Sequence, residues 1–321
     1  MSDKAAVEEV PLGTTAKPSF LTRVKAHFKK WWWAHFIALA VIVLVIALPL
    51  VYVGYPRIAQ GDINDSTLDV TSMEISEPSP DGFHLNQEQV IGSGSAFKPK
   101  LFSFDADVSL LGSPKFATVT VPDVQGRDGY VVNIDQWVDL SSVENFEAFS
   151  TAVMMNEEFT LNIYGEPRLK LGALPTIDID YNKTITMKGL NKLKGFKIEK
   201  LGLNNKLGQG RNAEGTVFIP NPSVLKLSMG NLTLDISSNG TELGQSFLDD
   251  LVLHPGDNHV PMTSFLNIST LAGLLPRDGI MPLTIVGKSS VYNGETISYF
   301  TKALQANTLN TDVNLAAVLG D

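Results

Sequence analysis

Cysteine is absent from this chain of 321 residues. Its absence excludes a disulfide scaffold, a thiolate metal site and a cysteine nucleophile together. Histidine is scarce, five in all, and neither a His-Glu-x-x-His pair nor a Gly-x-Ser-x-Gly elbow occurs. Cations are outnumbered, 25 Lys and Arg against 34 Asp and Glu, for a net charge of −9. Lys17, Arg23, Lys25, Lys29 and Lys30 cluster near the N-terminus, and no basic stripe follows later in the chain. That distribution argues against a nucleic acid partner. With no catalytic constellation in sight, neither an enzyme nor a cofactor is expected.

What the chain does have is a long apolar run. Residues 36–53 carry no charge, and extension to 34–54 gives 21 residues. A helix rises about 1.5 Å per residue and the hydrocarbon layer is about 30 Å thick, so 34–54 is read as a transmembrane helix. A buried core helix of this length would carry some polar residues. A cleaved signal peptide would start closer to the N-terminus and exit through small residues, whereas the exit here is Val51-Tyr52-Val53-Gly54-Tyr55-Pro56. Pro49 is tolerated in a span and can kink it.

Flanking charge orients the span. Lys17, Arg23, Lys25, Lys29 and Lys30 lie ahead of it; behind it come Arg57 and then Asp62, Asp65 and Asp69. Lys and Arg favour the cytoplasmic side. The basic tail 1–33, with its first sixteen residues read as disordered, is therefore expected in the cytosol, and residues 55–321 in the lumen or outside. This is a type II single-pass integral membrane arrangement. Lys29, Lys30 and Trp31-Trp32-Trp33 on one side, and Tyr52 and Tyr55 on the other, suit the two membrane interfaces. Glycosylation sequons agree with it: Asn64, Asn182, Asn231, Asn239 and Asn267 all lie after the span. Asn221 is excluded by Pro222.

Behind the span the apolar period becomes two. Phe102, Phe104, Ala106 and Val108 alternate with polar neighbours, as do Leu225, Leu227 and Met229, then Leu232, Leu234 and Ile236. Gly, Pro and Asn punctuate the pattern every eight to twelve residues, which indicates a β-sandwich or barrel. Two stretches break the rhythm. Residues 143–154 have helical spacing with Ser142 as N-cap, and 263–275 read as a second short helix.

The two helices suggest a duplication. Phe146–Thr151 aligns with Phe265–Thr270, Thr160–Gly165 with Pro282–Gly287, and Gly189–Asn191 with Thr308–Asn310. The fold class expected is mainly β: one N-terminal transmembrane helix, then two tandem immunoglobulin-like sandwiches, 55–190 with a membrane-proximal stem and 191–321, each with a short helix.

The remaining candidates for chemistry read as structure. His254 and His259 flank a Pro-Gly turn with only Asp257 near in sequence, and His84 stands alone. Gly208–Gly215 lacks the Lys-Ser/Thr ending of a phosphate loop and leads into a strand, so a hairpin loop is expected. Asp62–Asp69 lacks the glycine and glutamate of a calcium loop and reads as a solvated stem. Asp178 and Asp180 share one strand face, which by itself is no sign of glycosidase chemistry.

One segment, Gly215–Leu234, sets a strand, Asn221-Pro222 and a second strand in series. It resembles the type-2 late-embryogenesis-abundant domain, also called the water-stress and hypersensitive-response domain, where an Asn-Pro motif marks the early strands of a small β-sandwich with one helix. Ser223 stands where the plant pattern often has Asn. From the Lys-Lys-Trp-Trp-Trp flank through Gly54–Gln60 to Gly256–Pro261, the chain looks like a fungal family of single-pass vacuolar-membrane proteins built on such domains. The resemblance implies a vacuolar membrane and, because the family includes a protein implicated in terminating autophagy, a regulatory role. It implies no site residues.

The function expected is thus non-enzymatic: luminal β-domains that bind a protein partner or sense the lumen, signalling through the cytosolic tail. One alternative is a lipid-binding or lipid-handling module, since a sandwich open at one end can leave an apolar cleft. The other is a cell-surface adhesin or wall-associated protein at the plasma membrane.

Overall fold

The computed structural model describes residues 20–314, apart from the Thr22 side chain. The first sixteen residues, expected to be disordered, lie outside the described part. The chain divides into two units, Met1–Pro56 and Arg57–Asp321.

In the first unit, helix α1 spans Phe20–Pro49, with Trp31 leaving helical geometry (φ −115, ψ 18). Leu50–Gly54 follow as a single π turn. Pro49 supplies the cause, because it has no N–H for the preceding turn to bond. The most apolar stretch has a mean hydropathy of 3.1 and none of it is buried. It is one helix long and apolar enough to cross a membrane. Helix α2, Tyr55–Asp65, starts here and from Arg57 on belongs to the second unit.

The second unit is mainly β. In its first half run β1 Thr67–Ser76, β2 Gly82–Gly92, β3 Lys100–Leu101, β4 Phe104–Leu110, β5 Lys115–Val121, β6 Val124–Gln125 and β7 Tyr130–Asp139. Helix α3 Val143–Met155 follows, then β8 Glu158–Gly165, β9 Arg168–Lys170, β10 Ile177–Asp178 and β11 Tyr181–Lys188. One sheet contains β1-β2-β7, and a second, β11-β8-β4-β5, is stacked against it. The short strands β10-β9-β3-β6 form a small third sheet from the loops at one end. Ser142 caps α3, accepting from the Asn145 N–H as its sequence position predicts.

The second half repeats the plan. It comprises β12 Lys197–Leu203, β13 Ala213–Asn221, β14 Leu225–Ser238, β15 Thr241–Leu253 and β16 Gly256–Leu266. Then come α4 Ile268–Leu274, β17 Ile280–Tyr292, β18 Glu295–Thr296, α5 Ser298–Ala306 and β19 Thr308–Asn314. Here β12-β13-β16 and β15-β14-β17-β19 repeat the strand sequence of the first half, joined along one edge by the β15–β16 pairing, again with a helix after the fifth long strand. These are two immunoglobulin-like sandwiches; the first carries α3, and the second carries α4 and, beyond the one short helix expected, α5. The tight β14–β15 hairpin turns at Asn239-Gly240, both with positive φ (50 and 79), as a two-residue loop requires.

The sandwiches share backbone. β1 pairs in parallel with β14, Met73 to Leu225 and Ile75 to Leu227, so one sheet of the first sandwich continues into the second. Helix α5 packs on α3, where the fully buried Tyr299 meets Phe146 edge-on at 4.8 Å and donates to the Gly82 carbonyl.

Several local expectations change. The stretch expected to be a solvated stem, 62–69, is the end of α2 and the start of β1. Ala59 and Ile63 are buried, so the helix has an apolar side to cover and does not stay in water. The helix expected from 263 begins at Ile268, because Thr263–Leu266 pair with β15 and Asn267 is the cap. Of the three internal matches, Thr160–Gly165 and Pro282–Gly287 fall on equivalent strands, β8 and β17. The last does not: Gly189–Asn191 follow β11, whereas Thr308–Asn310 open β19.

Candidate ligand cavity

The inward-facing residues of the two sandwiches fill their interiors very differently. In the second, the void among Ile198, Leu201, Ile236, Leu243, Met262 and Leu283 leaves about 10 Å³ for the centre of a water-sized sphere. In the first the corresponding space is about 90 Å³. A single water needs about 10–15 Å³, so the void in the first sandwich has room for several and this one in the second for about one.

Aromatic side chains close one end of the hollow. Phe83, Phe116, Phe146 and Phe149 line it there, and Phe116 and Phe149 stack at 4.9 Å. Tyr299 of α5 braces Phe146 from behind. The walls are branched and small: Val70, Met73 and Leu85 on one sheet, Ala106, Val119 and Leu161 on the other. At the opposite end stand Leu68, Ile91, Leu101, Val124 and Tyr181. These five also border an adjoining chamber of about 40 Å³, where polar groups begin: Asp62, Ser66, Ser93 and Ser95.

Helix α2 is fastened at that end. Gln60 exchanges two hydrogen bonds with the Asp180 backbone, at 2.7 and 2.9 Å. Ser95 Oγ donates to Asp62 Oδ2 at 2.6 Å. Lys183, buried on β11, donates to the Asn64 carbonyl at 2.9 Å and to the Ser66 carbonyl, closing the helix C-terminus with a cation. Burial pushes the Lys183 ammonium below its ordinary range, partly offset by Asp65.

No charged side chain lines the main cavity. Its polar groups are the Tyr181 hydroxyl and the amides of Gln87 and Gln89 on β2. Burial pushes the Tyr181 hydroxyl up to about 12, so it stays neutral. Gln87 and Gln89 are 7% and 4% exposed and bond to one another at 2.9 Å. Neither stood out in the sequence, because polar residues at inward positions break the apolar alternation that reveals a strand.

The residues singled out from the sequence do not converge. Asn64, Asn182, Asn231, Asn239 and Asn267 are all exposed, on α2, β11, β14, the β14–β15 turn and the α4 cap respectively. Lys29, Lys30, Trp31, Trp32, Trp33 and Tyr52 are exposed on the N-terminal helix, whereas Tyr55 is 8% exposed. Asn221 is buried in a closed turn: Nδ2 donates to the Leu225 carbonyl at 2.7 Å, and Oδ1 accepts from the Ser223 N–H and hydroxyl. The Asn-Pro motif thus shapes the β13–β14 connection.

The histidines engage separate carboxylates. His259 lies 2.7 Å from Glu199, and His84 lies 2.6 Å from Asp135. Asn258 fixes the His254–Gly256 turn through the backbone of His254 and Gly256. Residues 204–212 connect β12 and β13 as a hairpin loop. Among the described residues no group of three or more His, Asp or Glu is arranged to hold a metal ion.

Residues 114–236 match the family described as "Protein of unknown function (DUF3712)", from β5 across the junction into β14. No curated protein matches the chain. Among solved structures, a bacterial adhesin from Mobiluncus mulieris with disulfide, isopeptide and ester cross-links is 10% identical, covering 77% of this chain and 96% of its own, at a TM-score of 0.22. The CupB6 tip adhesin of Pseudomonas aeruginosa is 9% identical over 77% of this chain and 98% of its own, at a TM-score of 0.17. Scores this low carry no argument about function.

Proposed function

We propose that this chain is a membrane-anchored, non-enzymatic binding protein whose first β-sandwich holds an apolar ligand of the lipid class. One observation carries the reading: the first sandwich keeps an interior space of about 90 Å³ with no charged wall, against about 10 Å³ in the void described in the second. A void lined by aliphatic and aromatic side chains forfeits dispersion contacts on every wall. An apolar guest restores those contacts, and an ion or a sugar does not. The apolar N-terminal helix supports a membrane as the source of such a guest.

The flanking charges support an orientation with the tail 1–33 in the cytosol and Arg57–Asp321 across the membrane. The vacuolar membrane, and regulation of autophagy through the tail, rest on the family resemblance described above; in that setting the ligand state of the sandwich is what the protein senses.

The test compares lipids retained by the purified full chain with those retained by the cavity-filling variant Ala106→Leu, after exchange from detergent into amphipol. Annular lipid on the anchor is common to both. A lipid equivalent present in the native chain and missing from the variant supports the reading. Identical lipid content in the two refutes it.

A further inference from the structure

The glutamine pair gives the cavity a chemical preference. We infer that Gln87 and Gln89 form a polar subsite that receives a neutral hydrogen-bonding group, a hydroxyl or an ester carbonyl, on an otherwise apolar ligand. This rests on the cavity being a binding site.

Two primary amides offer four N–H donors and two carbonyls. The bond from Gln87 Nε2 to Gln89 Oε1 uses one of each. Three N–H groups and one carbonyl are left without a protein partner among the described residues, in side chains more than nine-tenths buried. These groups are open to the cavity, since neither amide is among the buried side-chain atoms that lack a partner. The second sandwich handles buried polarity differently: Ser246 and Ser264 meet at 2.6 Å inside its core.

The position of the pair also fits a ligand subsite. Gln89 lies opposite Val70 and Val132, and Gln87 opposite Met73 and Ile134, midway along the central strand of the β1-β2-β7 sheet. Leu68 and Ile91 mark the polar end of the cavity, and Phe83 the closed end. At about 3.4 Å per residue, Gln89 is about 7 Å in from Ile91, and Gln87 lies about 14 Å from Phe83. A guest bonded there has room for hydrocarbon on the closed side.

The unused groups are mostly donors, so the guest group must accept. It must also be neutral, because a carboxylate or phosphate at that depth would meet no cation on any wall. The ligand class that follows is a neutral single-chain lipid, an alcohol or its ester, and not a free fatty acid or a phospholipid headgroup.

The experiment uses the full chain in detergent micelles with a diazirine-bearing long-chain alcohol as photolabel, read peptide by peptide. Decanol, methyl decanoate, decane and decanoate compete at matched micellar mole fraction. The expected result is that decanol and the ester suppress labelling of β1, β2 and β7 peptides at about tenfold lower concentration than decane, the equivalent of about 1.4 kcal/mol. In Gln87→Leu/Gln89→Leu the alcohol and the alkane become equal, while labelling of residues 34–54 is unchanged. Equal competition in the native chain overturns the inference without any variant, as does a preference that survives the double substitution. Stronger competition by decanoate than by decanol also overturns it. Absent labelling of the cavity peptides in the native chain would instead overturn the binding site itself, and the inference with it.

Discussion

Ala106→Leu tests whether the first sandwich is hollow by the sign of its effect. Ala106 is 1% exposed on β4 and faces the hollow. Leucine adds three carbons at about 0.8 kcal/mol for each one buried. Filling a void of about 90 Å³ at about 24 cal/mol per Å³ gives nearly the same figure, a gain of about 2 kcal/mol. In a folded unit the size of Arg57–Asp321 that raises the melting temperature by about 4–8 °C. The same substitution at Ala213, fully buried in the second sandwich, overpacks and should cost about 1–3 kcal/mol. Thermal unfolding of the full chain in detergent, followed by far-ultraviolet circular dichroism, reads both variants. The reasoning fails if Ala106→Leu lowers the melting temperature, or if the two variants shift it alike.

Tyr299→Phe should cost about 1 kcal/mol through the lost bond to Gly82, and Tyr299→Ala about 3–5 kcal/mol; denaturant midpoints measure both, and equal costs would contradict the bracing role. Asn221→Ala leaves the Ser223 N–H and the Leu225 carbonyl unpaired, and should cost about 2–3 kcal/mol by the same measurement. Asp107 feels burial, which raises its pKa, but bonds from Lys115 and Thr118 outweigh it and hold the carboxyl below its ordinary 3.8. A lowered carboxylate pKa contributes stability above 3.8 that is lost as pH falls through the folded-state value. Lys115→Met should therefore flatten the acid limb of the stability curve below about pH 4 while leaving its slope at neutral pH unchanged.

The apolar helix, the β-class and α3 were legible because each rests on local periodicity. Residues 36–53 have no polar interruption, and Ser142 sits where an N-cap must. The second helix was misplaced by five residues at its start, 263 against 268, since Phe265 and Leu266 continue a strand whose partner lies in β15. Long-range pairing overrides local spacing there. Helix α2 went unseen because its apolar side is narrow, with Ala59 and Ile63 flanked by polar residues. The cavity was beyond the sequence for a different reason. Alternating apolar residues look the same whether the opposing sheet touches them or stands off.

The parallel bond between β1 and β14 has a consequence for synthesis. Met73 must find Leu225, a separation of 152 residues. At about 5–20 residues per second, the free edge of β1 waits about 8–30 s after its own emergence before its partner exists. During that interval the first sandwich has neither its neighbouring strand nor the α5 brace behind Phe146. A nascent chain stalled before β14 should therefore expose a sticky strand edge and recruit chaperones, and one stalled after α5 should not.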